Sequence, residues 1–233
     1  MRKYMIFTIV CAGFCAGASC SVSCDGSPIP WPNVDTELDR ATCTMRIADN
    51  ATGGTATATA QISTSTGWPV ELGEGQSVQV NNQPMAPTGD SGEYAVTIPA
   101  AGTYTVTVTE PTRGVQTTSQ PAPPDFQITS PNEGGPASLS GFTVSYSNTD
   151  AALQVSITLV QTLFGHEEQM VVGPFADTGS KSFTAQDLAG KFWQGADLSI
   201  TVTKISQRDG INGFAAGQLS VERTRSVTAG PQS

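Results

Sequence analysis

Histidine is almost missing from this chain: His166 is the only one. A Ser-His-Asp hydrolase would have to be built on it, and no G-x-S-x-G, H-E-x-x-H or Walker sequence accompanies it. His166 stands in Phe164-Gly165-His166-Glu167-Glu168, which reads as a hairpin tip between two strands, where an exposed loop histidine is expected rather than a general base. Glu167 and Glu168 are adjacent, so an extended strand points them to opposite faces and makes no carboxylate pair. Positive charge is also scarce. Without Arg2 and Lys3, nine basic residues face twenty acidic ones, a net of −11. Such a surface repels nucleic acid and anionic lipid head groups, which are therefore discounted as partners. The five cysteines contain no C-x-x-C unit, which argues against a thiolate metal site. The longest apolar run, Tyr4 to Cys15, is too short for a membrane span. The expectation is a protein without cofactor or catalytic residues.

What is present at the start of the chain is informative. Arg2 and Lys3 precede that apolar run, and Gly17, Ala18 and Ser19 lead up to Cys20, the layout of a secretory signal. Two cleavage readings stand side by side. Ala16-Gly17-Ala18 satisfies the A-x-A rule and would free Ser19. Gly17-Ala18-Ser19-Cys20 instead resembles the lipobox of bacterial lipoproteins, with Gly17 where that family usually carries Leu. Cysteine arithmetic favours the second. Cys11 and Cys15 leave with the signal, and lipid on Cys20 leaves Cys24 and Cys43 as an even pair for an oxidising compartment. That link would stabilise the fold by roughly 3 kcal/mol. The resemblance implies a protein held permanently in the bacterial envelope, and Ser21 after the cysteine favours the outer membrane. Pro28, Pro30 and Pro32, with Trp31 between the last two, read as part of a stalk.

Thr, Ser, Gly, Pro and Val dominate the remainder, a balance that suits β-structure. Residues 1–19 are read as lipoprotein signal peptide, 20–42 as tether, 43–118 and 125–229 as two domains, 119–124 as a proline-rich linker, and 230–233 as tail. In the first half, Ala56, Ala58, Ala60 and Ile62 share one strand face. Val78 and Val80 lead to an Asn81-Asn82 turn, and Tyr94, Val96 and Ile98 are joined through Pro99-Ala100-Ala101-Gly102 to Tyr104, Val106 and Val108 as a hairpin. In the second half, Phe142, Val144 and Tyr146 alternate, then Val155, Ile157 and Leu159. Met170 to Val172 form a shorter run, and Leu198, Ile200 and Val202 precede a long strand through Leu219 and Val221. Thr184 caps a single helical turn of Ala185-Gln186-Asp187-Leu188-Ala189, stopped by Gly190.

The run from Gly92 to Val108 resembles the closing hairpin of bacterial immunoglobulin-like domains. Ser182 to Leu188 with Ala196 to Val202 is similar to a run in uncharacterised bacterial envelope lipoproteins. The resemblance implies an all-β chain of two immunoglobulin-like β-sandwiches in tandem after the signal peptide and a short stalk, and it carries no catalytic residues. The implied role is a lipid-anchored structural or protein-interaction module. The alternatives are a surface carbohydrate-binding module and, more weakly, a secreted hydrolase. Partners follow: the membrane through the anchor, and an envelope or extracellular protein, or a glycan.

Two further candidates remain. Asp209 and Asn212, in Asp209-Gly210-Ile211-Asn212-Gly213, offer oxygens in a glycine-bent loop that a calcium ion could use. The same residues make a good β-turn without an ion, and the turn is the preferred reading. Trp68 and Trp193 are the candidate glycan platforms, with core and edge packing preferred.

Overall fold

Alternation of apolar and polar residues, the mark of half-buried strands, organises the computed structural model, which describes residues 37–50 and 53–231. A 3-10 turn at Leu38–Arg40 leads into β1 (Ala41–Asn50), β2 (Thr55–Thr64), β3 (Ser77–Val80), β4 (Gln83–Pro84), β5 (Ala86–Pro87), β6 (Glu93–Pro99), β7 (Thr103–Glu110) and β8 (Gly114–Pro121). Then follow β9 (Ile128–Ser130), β10 (Pro136–Ala137), β11 (Gly141–Tyr146), β12 (Gln154–Leu163), β13 (His166–Ala176) and β14 (Ser180–Thr184). After α1 (Ala185–Leu188) come β15 (Leu198–Asp209) and β16 (Ala216–Pro231). The single helical turn carries the expected cap: Thr184 and Asp187 form a reciprocal capping box.

One nine-stranded sheet runs in the order β13-β12-β15-β16-β1-β2-β6-β5, with β10 paired to β16. A four-stranded sheet, β4-β3-β7-β8, and a three-stranded sheet, β14-β11-β9, complete the fold. The first core is closed between the four-stranded sheet, through Val78, Val80, Tyr104 and Val106, and the large sheet, through Met45, Ile47, Ile62 and Ile98. The second is closed between Val144, Tyr146 and Phe183 and the inward residues Val155, Ile157, Leu159, Ile200 and Val202. The small inward alanines Ala56, Ala58 and Ala60 face the first core, as their alternation predicts.

The all-β expectation holds, while several boundaries move. The two cores share one sheet, because β16 contributes Leu219 and Val221 to the first and Ala229 to the second. Ile211, from the supposed second half, also lies in the first core. The described residues thus pack as one unit rather than as 43–118 and 125–229. The stalk ends sooner than residue 42, since Leu38 is fully buried and β1 begins at Ala41. The 119–124 linker is strand as far as Pro121, which pairs with Thr103. Proline is admissible there because it is the last residue of an edge strand, where no outward donor is needed. The 230–233 tail likewise begins inside β16, with Gly230 paired to Pro136.

The hairpin expected from Tyr94 to Val108 is not one. β6 pairs with β2 and β5, while β7 pairs with β3 and β8, so residues 100–102 carry the chain from one sheet to the other. Both strands face the same core from opposite sides, and alternation cannot tell that arch from a hairpin. Met170 to Val172 is also only part of a longer strand, which passes Gly173-Pro174 through a shift in register between Val155 and Ile157. β13 lies at the edge of the large sheet, where such an irregularity is tolerated.

Candidate functional site

Four inward rows of this fold carry buried polar residues. In β1 the row is Ala41, Cys43, Met45, Ile47 and then Asp49; in β7 it is Tyr104, Val106, Val108 and then Glu110. In β12 Gln161 follows Leu159, and in β15 Lys204 and Ser206 follow Val202. All of these polar side chains are buried. Unpaired, each would be costly, so each has a partner far along the chain. Asp49 pairs with Arg223, and Glu110 accepts the Leu38 N–H at 2.7 Å. Gln161 accepts the Trp193 N–H at 2.6 Å and donates to the carbonyls of Trp193 and Ala196. Gln120 donates to the Ser206 hydroxyl at 2.6 Å, joining β8 to β15.

The most enclosed of these ties is the Lys204–Asp177 pair. Nζ lies 2.7 Å from Asp177 Oδ2, and both side chains are 0% exposed. The remaining ammonium hydrogens reach the carbonyls of Ser147 at 3.0 Å and Asn148 at 2.7 Å. The rings of Phe126 and Tyr146 wall the amine, their centroids 5.0 and 5.1 Å from Nζ. Asp177 also accepts from the backbone N–H groups of Asp150 at 3.2 Å and Gly179 at 3.3 Å. Burial, with the charge of Asp177 beside it, pushes the Tyr146 hydroxyl up to about 12. No motif in the sequence marks this cluster. The available signal was the phase of Lys204, which continues the inward row Leu198, Ile200 and Val202.

The sequence-derived candidates are dispersed. His166 is exposed at the start of β13, paired with Leu163 across a Phe164-Gly165 turn with φ of 50° and 80°. Glu167 and Glu168 are exposed beside it. Asp209 ends β15 on the surface, whereas the Asn212 side-chain amide donates to the Thr117 carbonyl at 2.7 Å and its backbone N–H reaches Thr118 Oγ1 at 2.8 Å. Asn212 therefore ties its turn to β8, and the turn itself closes with Phe214 N–H on the Ile211 carbonyl. Cys43 is a free, fully buried thiol that burial pushes up to about 12. Cys20 and Cys24, with Trp31, lie outside the described residues, and so does the proposed Cys24 end of the disulfide.

The two tryptophans stand in sequence beside residues of different cores: Trp68 leads into Val70 of the first, and Trp193 follows Phe192 of the second. They do not form one platform. Trp193 is half-buried, whereas Trp68 is 56% exposed. A groove of about 500 Å³, whose lining includes Glu71, Gln76, Met85, Asp90, Gly92 and Tyr94 but not Trp68, opens on the first half of the fold. Pro69, the residue after Trp68, pairs with Ser63, and the backbone of Gly92, which lines the groove, packs tightly on Pro69. Tyr94 is buried and its hydroxyl accepts the Leu72 N–H at 2.8 Å, so the groove floor is held by the first core.

No family model matches the chain, and no curated protein matches it. Among solved structures, the chain is similar to a Bacteroides uniformis protein provisionally described as carbohydrate binding, at 14% identity over 78% of this chain and 97% of the other. The TM-score is 0.22, so this likeness bears no weight for fold or function.

Proposed function

We propose that this chain is a non-enzymatic module of the bacterial cell envelope, exported, held by lipid on Cys20, and acting as a structural or protein-interaction element. Its two sandwich-like halves stand for immunoglobulin-like units merged through one sheet. The observation that supports this reading is the use made of buried polarity: Asp49, Glu110, Gln120, Gln161, Asp177 and Lys204 each join segments that are distant in sequence. Polar groups so committed serve rigidity, and a rigid scaffold suits a protein whose work is to present a surface. Mass spectrometry of the mature N-terminus tests the anchor. The expected result is a fatty-acylated Cys20; an unmodified chain beginning at Ser19 refutes it.

A glycan-binding role is the second reading, favoured by the exposed indole of Trp68 and, separately, by a groove whose lining carries carboxylate and amide groups. An aromatic face takes the apolar face of a sugar ring while the polar rim takes its hydroxyls. Covering about 60 Å² of indole contributes about 1.5 kcal/mol. Trp68→Ala should then weaken glycan binding about tenfold, measured by calorimetry against envelope polysaccharides. Trp193→Ala should leave binding unchanged. No binding by the wild-type protein to any glycan eliminates this reading.

A further inference from the structure

Lys204 and Asp177 are placed for more than an ion pair. The amine and the carboxyl group are in contact at 2.7 Å, with both side chains fully buried. Phe126 and Tyr146, themselves buried and packed edge to face at 6.4 Å, line the box around the amine. The carbonyls of Ser147 and Asn148 hold Nζ in place from one side, and the N–H groups of Gly179 and Asp150 hold the carboxylate from the other. Two groups fixed in contact react as though at very high concentration. Exclusion of water removes both the solvent shell that protects an exposed ion pair and the reagent that would hydrolyse the product.

We propose that Lys204 and Asp177 condense into an intramolecular amide that covalently joins β15 to the segment after β13. The ion pair and the neutral acid–amine pair differ by one proton, which moves along the hydrogen bond from Nζ to Oδ2. The 2.7 Å contact places donor and acceptor directly against each other for that transfer. The freed nitrogen lone pair attacks Cγ, and the developing charge on Oδ1 faces the Gly179 N–H. A second proton passes from Nζ to Oδ2, the Cγ–Oδ2 bond breaks, and Oδ2 leaves as water. The amide keeps one N–H, which the Asn148 carbonyl accepts. Nothing is oxidised or reduced, and no co-reactant is needed: ammonium and carboxylate become amide and one water.

The full chain decides this in a denaturing tryptic digest followed by tandem mass spectrometry. Trypsin cuts after Arg113, Lys181, Lys191 and Arg208, and it cuts after Lys204 only if that amine is free. The expected product is a branched fragment joining residues 114–181 to residues 192–208, lighter than the two together by one further water, with the branch mapped to Asp177 and Lys204. Asp177→Ala should restore cleavage after Lys204 and release separate fragments. Quantitative cleavage after Lys204 in the wild-type chain, with no branched fragment, reduces the pair to an ion pair and overturns the proposal. So does a water loss confined to residues 114–181 that persists in Lys204→Met, since that marks a succinimide at Asp177. Because the wild-type digest carries the decision, a variant that fails to fold does not obscure it.

Discussion

Arg223→Leu is expected to lower folding stability by about 3–5 kcal/mol, the range for breaking a buried ion pair from one side. Asp49 is completely buried at the end of the inward row of β1, and Arg223 of β16 is its charged partner, opposite it in the parallel β1–β16 register. Removing the guanidinium strands a carboxylate at the edge of the first core. The effect should be asymmetric. Asp49→Leu leaves Arg223, which is 13% exposed and long enough to turn its head toward water, so that variant should lose less. The double variant Arg223→Leu/Asp49→Leu should recover most of the loss, because no unpaired charge remains and apolar packing replaces it. Urea midpoints for the four proteins of this cycle measure the coupling. A wild-type midpoint in Arg223→Leu would mean that Asp49 reaches solvent and that the seam does not depend on this pair.

The same pair marks how far the sequence can be read. Local chemistry was legible. Thr184 with Asp187 specified α1, and Asn81-Asn82, both with positive φ, specified the turn between β3 and β4. Alternation named the inward residues of β2, β12 and β15, including Ala56, Ile157 and Val202. What alternation leaves open is which strand lies beside which. β1 and β16 pair in parallel, and Asp49 and Arg223 meet across 174 residues with no local signal. β6 and β7 look like a hairpin because both present apolar residues every second position, yet they belong to different sheets. The buried polar ties form no motif; their signal is a break in an inward row. Lys204 after Val202 and Glu110 after Val108 are such breaks, and phase alone would have placed both inside. Of the candidate site, Trp68 is legible as an aromatic candidate but the groove is not, since its lining brings Glu71, Met85 and Tyr94 together from separate segments.

Gly217→Ala tests the seam by shape rather than charge, and it should be the most damaging single methyl in the protein. Gly217 of β16 lies opposite Cys43 of β1, and a Cβ built there would sit 2.1 Å from the Cys43 carbonyl oxygen. Atoms cannot share that space, and the obstacle is backbone in the adjoining strand, so no side chain can swing away. The strands must part or slip. A one-residue slip of β16 would turn Leu219 and Val221 out of the first core. The expected loss is at or above the upper end of the about 1–3 kcal/mol typical of overpacking, which for a chain of this size lowers the melting temperature by roughly 2–4 °C per kcal/mol. Gly102→Ala supplies the control: its Cβ would meet nothing within 4 Å, so the midpoint should stay within about 0.5 kcal/mol of wild type. Cys43 gives an independent readout on the same strand. Its thiol, buried and pushed up to about 12, should resist alkylation in native wild-type protein and react in Gly217→Ala as β1 loosens. Equal midpoints and equal thiol protection in Gly217→Ala and Gly102→Ala would show that β1 and β16 do not approach so closely, and the single shared sheet would have to be redrawn.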